Sequence, residues 1–539
     1  PWGVLFALVF ALSLGVTALV LLSDAYYPGN VLAASGLRRL PVIAIILISA
    51  TATSLTDDQS TYHSVRLKDA AAGNRVTIDA ALDQWGRRQT EVTTARPAGS
   101  EPIPLVFVAS AGGGIRAAYW TTIVLNCLVK NQDNAGWKPI GMDMNNVCTH
   151  RMSMDSVFLA SGISGGSLGL AVTKAFKDAP AVPWSEPLGK DFLGPTVAGV
   201  AFRDLPNAFV RLRATGQDSA AVLEKSWEKS VRDAKGDLAS GFLATAWSTP
   251  DQLDFPLLAL SGTSVTDGCR VTVSALKLAD ADAASHDCLS LDRVVTPIQG
   301  AHAQLQTLAA TKDAFDSTCP ADVKQPGEPK DLSLSTAALL SARFPYVSPN
   351  GTLHWCMDRA VRTFDLDGGL IDASAAAPLA LAWPEVVKWL ARAERNGKCF
   401  APKLILIDNG YVTSTRSEVP NRPPGLIAPL TAFGAVGNAR SAAARQAAAL
   451  DFEKFFPPGR CGGDTAPAAA RPDWVLPNVV DFYPVAQPGV EAPLGWTLSE
   501  RSKRSLGHQL ENKYNRCSME IVARWFSQET GKPPGCSGT

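Results

Sequence analysis

The stretch Ser156–Phe176 reads SVFLASGISGGSLGLAVTKAF, so that an apolar run leads through glycines into a second apolar segment of helical length. Two further runs, Pro104–Ala109 (PLVFVA) and Leu404–Ile407 (LILI), also end in glycine-containing turns. Short continuous apolar runs are typical of strands buried on both faces. Strand, glycine turn and helix in repetition therefore predict an α/β fold with a mostly parallel central sheet. Ligands of such sheets bind at the carboxyl ends of the strands, where all three turns fall.

The composition is that of a folded protein without an excess of either charge. Of 539 residues, 46% are apolar and 19% are charged, which suffices for one large core or two ordinary ones and excludes a disordered or coiled-coil chain. Lysine plus arginine (50) equals aspartate plus glutamate (50), so no overall positive field attracts a nucleic acid. We therefore expect no nucleic-acid partner.

Ten cysteines are present, and none lies in a CxxC pair, which argues against a zinc ribbon or a thioredoxin-like site. Their even number and their spacing suggest local disulfides. The candidate pairs are Cys127 with Cys148, Cys269 with Cys288, Cys319 with Cys356, and Cys517 with Cys536. Separate buried thiols in a reducing compartment are the alternative that the sequence leaves open.

The N-terminal 55 residues contain two apolar runs. Trp2–Leu22 is a 21-residue uncharged run, which as a helix is roughly 31 Å long and matches a bilayer core. Leu40–Leu55 has 16 residues and is marginal for a full span. We therefore expect one or two N-terminal transmembrane helices in a chain that has been cut upstream of Pro1. A signal peptide and a buried soluble hairpin are the alternatives.

Basic residues near these runs bear on the orientation of the chain in a membrane. Arg38 and Arg39 between the two runs favour a cytoplasmic loop, and hence a globular domain on the extracytoplasmic side. The cysteine count favours the same side. Basic residues after the second run occur at similar density, which leaves the cytoplasmic side open.

Composition divides the chain into four parts. After the membrane segment at 1–55, residues 56–100 are polar and end in a stretch typical of a linker. Residues 101–420 contain the three strand-turn patterns and form the expected globular domain, with an insertion or cap at about 181–330. Residues 421–539 form a C-terminal extension that we expect to pack on this domain.

The pattern Gly162-Ile163-Ser164-Gly165-Gly166 is a GxSxG between the expected strand and helix. On such a sharp turn the serine is held in a strained conformation, and flanking glycines let strand and helix approach closely. The helix N-terminus then places free amides and partial positive charge beside the hydroxyl. We therefore predict Ser164 as a nucleophile, with Gly162, Gly165 and Gly166 forming its elbow. An ordinary glycine- and serine-containing loop is the alternative.

A second turn follows the Pro104–Ala109 strand. Its residues Gly112, Gly113 and Gly114, the glycine loop, expose backbone amides without side chains, which suits an oxyanion hole or a phosphate cradle. The nucleotide-binding patterns GxxxxGK[ST] and GxGxxG are absent from the sequence of this turn, which favours the oxyanion hole. Arg116 lies two residues after Gly114, and we expect it to belong to the oxyanion hole, to order the loop or to meet an anionic headgroup.

A carboxylate at another glycine turn completes the set. Asp367 precedes Gly368 and Gly369 in what we call the Asp-Gly-Gly turn, and in contact with Ser164 it would serve as the base. An ordinary aspartate has a pKa of about 3.9 and is a poor proton acceptor at neutral pH, so burial is required. Asp408 is the rival acid. A plain Asp-Gly turn is the alternative, whereas an EF-hand calcium loop fails because glycine and leucine fill later ligand positions.

These three elements, in this chain order, resemble the patatin-like phospholipase family. That family combines a glycine-rich loop ending in arginine, a GxSxG serine and an Asp-Gly-Gly aspartate, which correspond here to Gly112–Arg116, Gly162–Gly166 and Asp367–Gly369. Ser335–Pro349 also resembles the small-residue stretch that precedes the aspartate in these enzymes. The resemblance covers about a quarter of the chain.

The resemblance implies a three-layer patatin-like α/β sandwich and a Ser164–Asp367 dyad that works without histidine, metal or cofactor. It further implies hydrolysis of acyl esters of lipids, of phospholipase A or lysophospholipase type, with a membrane lipid or lysolipid as substrate. The two residues lie 203 positions apart, which is far for the family and is the reason for expecting the insertion at 181–330.

Two other functions remain open from the sequence. A Ser-His-Asp hydrolase uses the same elbow but needs a histidine, usually C-terminal to the acid. His508 is the only histidine after Asp367, and it falls in an expected C-terminal helix. A catalytically silent, membrane-tethered interaction protein with the same fold is the second alternative.

Overall fold

In the computed structural model, the described residues are 13–15, 17–18, 21, 63–71, 75–93, 102–129, 148–177, 183–210, 218–266, 268–278, 311–317, 328–344, 348–354, 356, 362–409, 441–450, 452, 478–485 and 495–526. The expectation of N-terminal transmembrane helices is wrong for this part of the chain, because none of its helices is both long enough and apolar enough to cross a bilayer. Apart from 13–15, 17–18 and 21, the apolar runs Trp2–Leu22 and Leu40–Leu55 lie outside the described residues.

A nine-stranded sheet forms the centre of the structure. The strands of the described chain are β1 (Leu67–Ala71), β2 (Ile103–Ser110), β3 (Val157–Ile163), β4 (Trp247–Thr249), β5 (Gln252–Leu253), β6 (Leu257–Ser264), β7 (Arg270–Ser274), β8 (Thr311–Asp313), β9 (Lys330–Leu332), β10 (Gly351–His354), β11 (Arg362–Leu366), β12 (Phe400–Ile407) and β13 (Val479–Phe482). The order in the sheet is β10-β11-β6-β3-β2-β12-β13, with β7 paired to β6 and β8 to β7. Strands β6, β3, β2, β12 and β13 run parallel to one another, whereas β7 and β11 are antiparallel to β6. The predicted α/β fold with a mostly parallel sheet is confirmed.

Helices cover both faces of this sheet. The helices of the described chain include α1 (Ile78–Thr93), α2 (Gly114–Leu128), α3 (Gly165–Ala175), α4 (Leu193–Gly199), α5 (Leu205–Val210), α6 (Ser219–Asp233), α7 (Leu334–Ser341), α8 (Ala377–Arg395), α9 (Glu500–His508) and α10 (Lys513–Trp525), with a π-helical turn at Val200–Asp204. Side chains alternate along β2, so that Ser110 hydrogen-bonds Thr121 of α2 while Phe107 packs on Trp383 of α8. The helices α2 and α8 therefore lie on opposite faces, in three layers.

The register of the strands brings the glycine turns to one edge of the sheet. Ile407 of β12 pairs with Ser110 of β2, which pairs with Gly162 of β3. Strand β11 enters the sheet at this edge in the opposite direction, and its last residue, Leu366, pairs with Thr263 near the end of β6. The Asp-Gly-Gly turn therefore follows at the edge where parallel sheets bind ligands.

The predicted linker at 56–100 is wrong in part, because much of it is folded structure. Within it, β1 pairs with β9, and α1 lies against α8. Trp85 of α1 is fully buried and contacts the rings of Trp389 and Phe400. The polar side chains of α1 face outward and gave this segment the composition of a linker, although one apolar face belongs to the core.

The predicted insertion or cap at 181–330 is also wrong in part. Strand β6, with the sequence LLALSGTS, lies inside this range, yet it is buried along its length and pairs with β3 in the middle of the sheet. The C-terminal extension at 421–539 does more than pack on the domain, since β13 pairs with β12 and adds a strand to the sheet. The core therefore draws its strands from most of the chain.

Cys127 and Cys148 form a disulfide, which confirms that predicted pair. Four further described cysteines are also disulfide-bonded, namely Cys269, Cys356, Cys399 and Cys517. The other members of the remaining predicted pairs, Cys288, Cys319 and Cys536, lie outside the described residues. Free thiols are thus excluded for these six cysteines.

Candidate active site

Ser164 lies on the turn between β3 and α3, where the elbow was predicted. Its backbone has φ 51° and ψ −124°, a positive-φ conformation that costs a residue other than glycine about 1–3 kcal/mol. The residue is buried, at 4% exposure, and it immediately precedes the first turn of α3. The turn therefore holds a strained and nearly buried serine beside the free amides of a helix N-terminus.

The glycines of the elbow leave room for neighbouring backbone. A Cβ atom at Gly162 would lie 2.8 Å from Ser167 Cα, well inside van der Waals contact. At Gly165 such an atom would overlap the Gly114 carbonyl, and at Gly166 it would overlap the end of β2. Side chains at these positions would therefore push α3 away from β3 and from the glycine loop.

The structure brings Ser164 and Asp367 into direct contact. Ser164 Oγ donates a hydrogen bond to Asp367 Oδ2 at 2.6 Å. The other carboxyl oxygen, Oδ1, accepts a hydrogen bond from Gly369 N at 2.8 Å, and Asp367 N donates to the Arg343 carbonyl at 3.0 Å. The carboxyl group is thus fixed by the backbone on one side and faces the serine hydroxyl on the other.

The surroundings of Asp367 change its basicity. Burial raises the pKa of Asp367 to about 6, although the hydrogen bonds from Ser164 and Gly369 lower it. A carboxylate with a raised pKa holds a proton more tightly, and it is therefore a stronger base toward a hydroxyl group. At neutral pH such a group is still mostly ionised, so it is able to accept the proton of Ser164.

No imidazole in the described part of the chain contacts this pair. Both oxygens of Asp367 take their hydrogen bonds from Ser164 and Gly369. His508, which a triad would use, lies at the end of α9, is half exposed, and has Nδ1 3.6 Å from Glu511. His508 is therefore not part of the site.

Asp408, the rival acid, is engaged elsewhere. Its carboxylate forms an ion pair with Arg445. The residue follows β12 at the same edge of the sheet, but the hydroxyl of Ser164 is directed to Asp367. The structure therefore favours Asp367 over Asp408 as the partner of the serine.

Arg116 anchors the glycine loop through Asn409. Arg116 Nε donates to Asn409 Oδ1 and Arg116 Nη2 donates to the Asn409 carbonyl, each at 3.0 Å. Asn409 Nδ2 in turn donates to the carbonyls of Gly112 at 3.2 Å and Gly113 at 3.4 Å. Ordering the loop is one of the roles predicted for Arg116. Its predicted place in the oxyanion hole is wrong, because these guanidinium nitrogens are turned to Asn409.

The amides of the glycine loop are not equivalent. Gly112 N donates to the Ala373 carbonyl at 2.9 Å, so the prediction that Gly112 belongs to the oxyanion hole is wrong. Gly113 and Gly114 have φ of 144° and 60°, and neither amide has a partner within the described residues. The same is true of Gly165 N, the first amide of α3, whose backbone contacts that of Gly114. The amides of Gly113, Gly114 and Gly165 are thus available as backbone donors near the serine.

Two residues that contact the site were not predicted. Asn409 lies in the turn after the LILI run, and the only signal for it was that this turn falls at the same edge as the others. Ser341 Oγ accepts a hydrogen bond from Ser164 N at 2.8 Å. It lies in the small-residue stretch Ser335–Pro349, where no local pattern separates it from its neighbours.

The described ranges hold no group of three or more His, Cys, Asp or Glu side chains arranged to bind a metal ion. A scan of protein-family models finds no match to the chain, and a search of curated proteins finds none either. The resemblance to patatin-like phospholipases therefore rests on the sequence motifs alone.

Proposed function

We propose that this protein is a serine acyl hydrolase that cleaves acyl esters of lipids through a Ser164–Asp367 dyad. The observation that carries the proposal is the 2.6 Å hydrogen bond from Ser164 Oγ to Asp367 Oδ2 in a buried turn. A hydroxyl in direct contact with a carboxylate of raised pKa is an activated nucleophile, and it needs no further group to remove its proton.

In the proposed acylation step, Ser164 Oγ attacks the ester carbonyl carbon while Asp367 Oδ2 accepts the hydroxyl proton. The carbonyl oxygen becomes an oxyanion, which the amides of Gly113, Gly114 and Gly165 stabilise. Asp367 then gives its proton to the leaving alkoxide, so that an alcohol or lysolipid departs and an acyl-serine remains.

In the proposed deacylation step, Asp367 acts as a base a second time. It accepts a proton from a water molecule, whose oxygen attacks the acyl carbonyl and forms a second oxyanion on the same amides. Collapse of this intermediate breaks the bond to Ser164 Oγ, which recovers its proton from Asp367. The fatty acid leaves, and both side chains return to their starting states.

Apolar side chains beside the dyad support a lipid substrate. Leu370, whose amide donates to the Asp367 carbonyl, is 48% exposed. Phe344 follows Arg343, which holds Asp367 N, and it is 52% exposed. Exposed large apolar side chains in the two segments whose backbones contact Asp367 suit an acyl chain. A membrane lipid or lysolipid, the substrate that the resemblance implies, is therefore the substrate we propose.

The disulfides support a location outside the cytoplasm. Cys127 is bonded to Cys148, and four more described cysteines are bonded as well. Disulfides form and persist in oxidising compartments and are rare in the cytosol. We therefore propose that the protein acts on the extracytoplasmic side.

The test combines labelling by a fluorophosphonate probe with fatty-acid release from vesicles of phosphatidylcholine and micelles of lysophosphatidylcholine. We expect wild type to be labelled and to release fatty acid, Ser164→Ala to lose both activities, and Asp367→Asn to lose nearly all of both. His508→Ala and Ser248→Ala are the controls, since both side chains are exposed and neither contacts the dyad. A chelator should leave the rates unchanged.

Each other outcome rejects a part of the proposal. Labelling that survives in Ser164→Ala would exclude this residue as the nucleophile. Loss of labelling in His508→Ala would favour a Ser-His-Asp triad, and absence of labelling in every protein would favour a catalytically silent one. Labelling without fatty-acid release from either lipid would keep the serine hydrolase and reject the lipid substrate.

A further inference from the structure

The Ser341 hydroxyl lies where the elbow, helix α7 and strand β6 meet. Ser341 is the last residue of α7 and is fully buried. Its Oγ donates a hydrogen bond to the Ser261 carbonyl of β6 at 2.6 Å. It accepts one from Ser164 N and one from Ser167 Oγ, each at 2.8 Å. A hydroxyl has one proton and two lone pairs, so the hydrogen-bonding capacity of Ser341 is fully used.

The same short segment also holds the base. Arg343, two residues after Ser341, accepts the hydrogen bond from Asp367 N through its carbonyl at 3.0 Å. The Ser261 carbonyl, which accepts from Ser341, lies so close to Gly368 that a Cβ atom there would overlap it. The end of α7 therefore contacts the backbone of both members of the dyad and the strand that lies between them in the sheet.

We propose that Ser341 is a positioning residue, which holds Ser164 in the backbone conformation from which its hydroxyl reaches Asp367. The inference rests on the proposed function. The positive φ of Ser164 is unfavourable and persists only where surrounding groups support it. The hydrogen bond from Ser164 N to Ser341 Oγ supplies such support at the residue itself, and it links the elbow to the segment that carries Arg343.

Ser274 offers a matched control for this hydroxyl. It is buried, its Oγ donates to the Leu258 carbonyl of β6 at 2.9 Å, and it accepts a hydrogen bond from Leu276 N at 3.1 Å. Ser341 differs in accepting a second hydrogen bond, and none of the partners of Ser274 belongs to the dyad or its flanking turns. Ser341→Ala removes three buried hydrogen bonds and Ser274→Ala removes two, so both should lower thermal stability, Ser341→Ala somewhat more.

The experiment measures kcat and KM on a short-chain soluble ester, normalised to the folded fraction, in parallel with the rate of fluorophosphonate labelling. We expect Ser341→Ala to lower both kcat and the labelling rate about tenfold to a hundredfold, with KM changed by less than about twofold, because a small displacement of a catalytic group has this effect. Ser274→Ala should keep the wild-type kcat. A residue with only a structural role would change stability without separating kcat from KM.

Ser341→Cys covers the case in which Ser341→Ala does not fold. A thiol occupies the same place but is a weaker donor and acceptor, so kcat and the labelling rate of Ser341→Cys should fall below those of the wild type while KM stays within about twofold. Wild-type kcat in either folded variant would overturn the inference and leave Ser164 as the nucleophile. Absence of Ser164-dependent labelling in the wild-type protein would instead overturn the proposed function, and this inference with it.

Discussion

Replacing Asp367 with asparagine should stabilise the protein and remove most of its activity. The carboxyl group is buried, and burial raises its pKa from the usual 3.8 to about 6. Asparagine has nearly the same shape, keeps an oxygen for Gly369 N, and carries no charge. The substitution therefore removes the unfavourable free energy of an ionised carboxylate in a buried site, together with the base that Ser164 requires in the proposed mechanism.

The magnitude follows from the difference between the pKa values of the two states. In the unfolded chain the Asp367 carboxyl ionises near its usual pKa of 3.8, and in the folded protein it ionises at about 6. The folded state binds the proton more tightly, so the wild type loses stability as the pH rises between these two values. About two pKa units correspond to about 3 kcal/mol in the free energy of unfolding. Asp367→Asn should be more stable by up to this amount above pH 7, and the difference should shrink as the pH falls toward 4.

Urea unfolding at a series of pH values measures this difference, because ionisable groups shared by the two proteins cancel. Asp254→Asn is the control with the opposite sign. Although partial burial raises the pKa of Asp254, Lys174 and Lys177 outweigh this and lower it below the usual value. The Asp254 carboxylate therefore stabilises the fold above its unfolded pKa, and Asp254→Asn should lower the stability at neutral pH.

Activity measurements complete the test of Asp367. Loss of a general base typically costs about a hundredfold to ten-thousandfold in rate, so kcat of Asp367→Asn should fall in this range. In the wild type, kcat/KM should rise with pH through about 6 and then level off, because only the ionised carboxylate accepts the proton. If Asp367→Asn were less stable than the wild type at pH 7.5, burial would not disfavour the ionised carboxylate of Asp367. If the variant kept the wild-type kcat, this carboxylate would not be the base. Either result would refute the reasoning.

Two further changes test the elbow and the disulfide. Gly165→Ala places a methyl group on the Gly114 carbonyl, so probe labelling should fall about a hundredfold. Gly495→Ala should label like the wild type, because a Cβ atom there meets no atom of the described residues within 4 Å. Replacing both Cys127 and Cys148 by serine opens a loop with a sequence separation of 21 and should lower the free energy of unfolding by about 3 kcal/mol, as urea titration measures. It should preserve kcat, because the bond lies at the opposite end of α2 from the glycine loop. Wild-type labelling in Gly165→Ala, or lost activity in a folded disulfide variant, would contradict these expectations.

The parts of the site that were predictable have local causes. The glycines at 162, 165 and 166 are required by close backbone contacts within and next to the turn, and such turns have a recognisable spacing. The apolar runs of β2, β3 and β12 indicated buried parallel strands for an equally local reason, since each is covered by helices on both faces. Strand β6 was missed because its apolar run lies among polar and proline-containing segments, which gave the whole range the composition of an insertion.

The parts that were not predictable depend on partners far away in the chain. Asn409 reaches Arg116 across 293 residues, and Ser341 reaches Ser164 across 177 residues. Three consecutive glycines look alike in a sequence, and it is the folded backbone that separates Gly112, which donates to the Ala373 carbonyl, from the two that follow it. Side chains that position a site residue from a distant segment leave no recognisable sequence pattern, because their contact with the site forms only in the folded protein.

Burial of the Asp367 carboxyl group has two effects. It lowers the free energy of unfolding at neutral pH, and it makes the carboxylate a stronger base. In a triad the base is an imidazole with a usual pKa of about 6.5, whereas an aspartate in water has a pKa of about 3.9. Burial brings the pKa of Asp367 to about 6, close to that of an imidazole, without a histidine. In the proposed mechanism, such a carboxylate is ionised at neutral pH and accepts the proton of Ser164, yet once protonated it is acidic enough to give that proton to a leaving alkoxide. If water reached the Asp-Gly-Gly turn, the pKa of Asp367 would fall, which would stabilise the fold and weaken the base. The proposed histidine-free mechanism therefore depends on the exclusion of water from this turn.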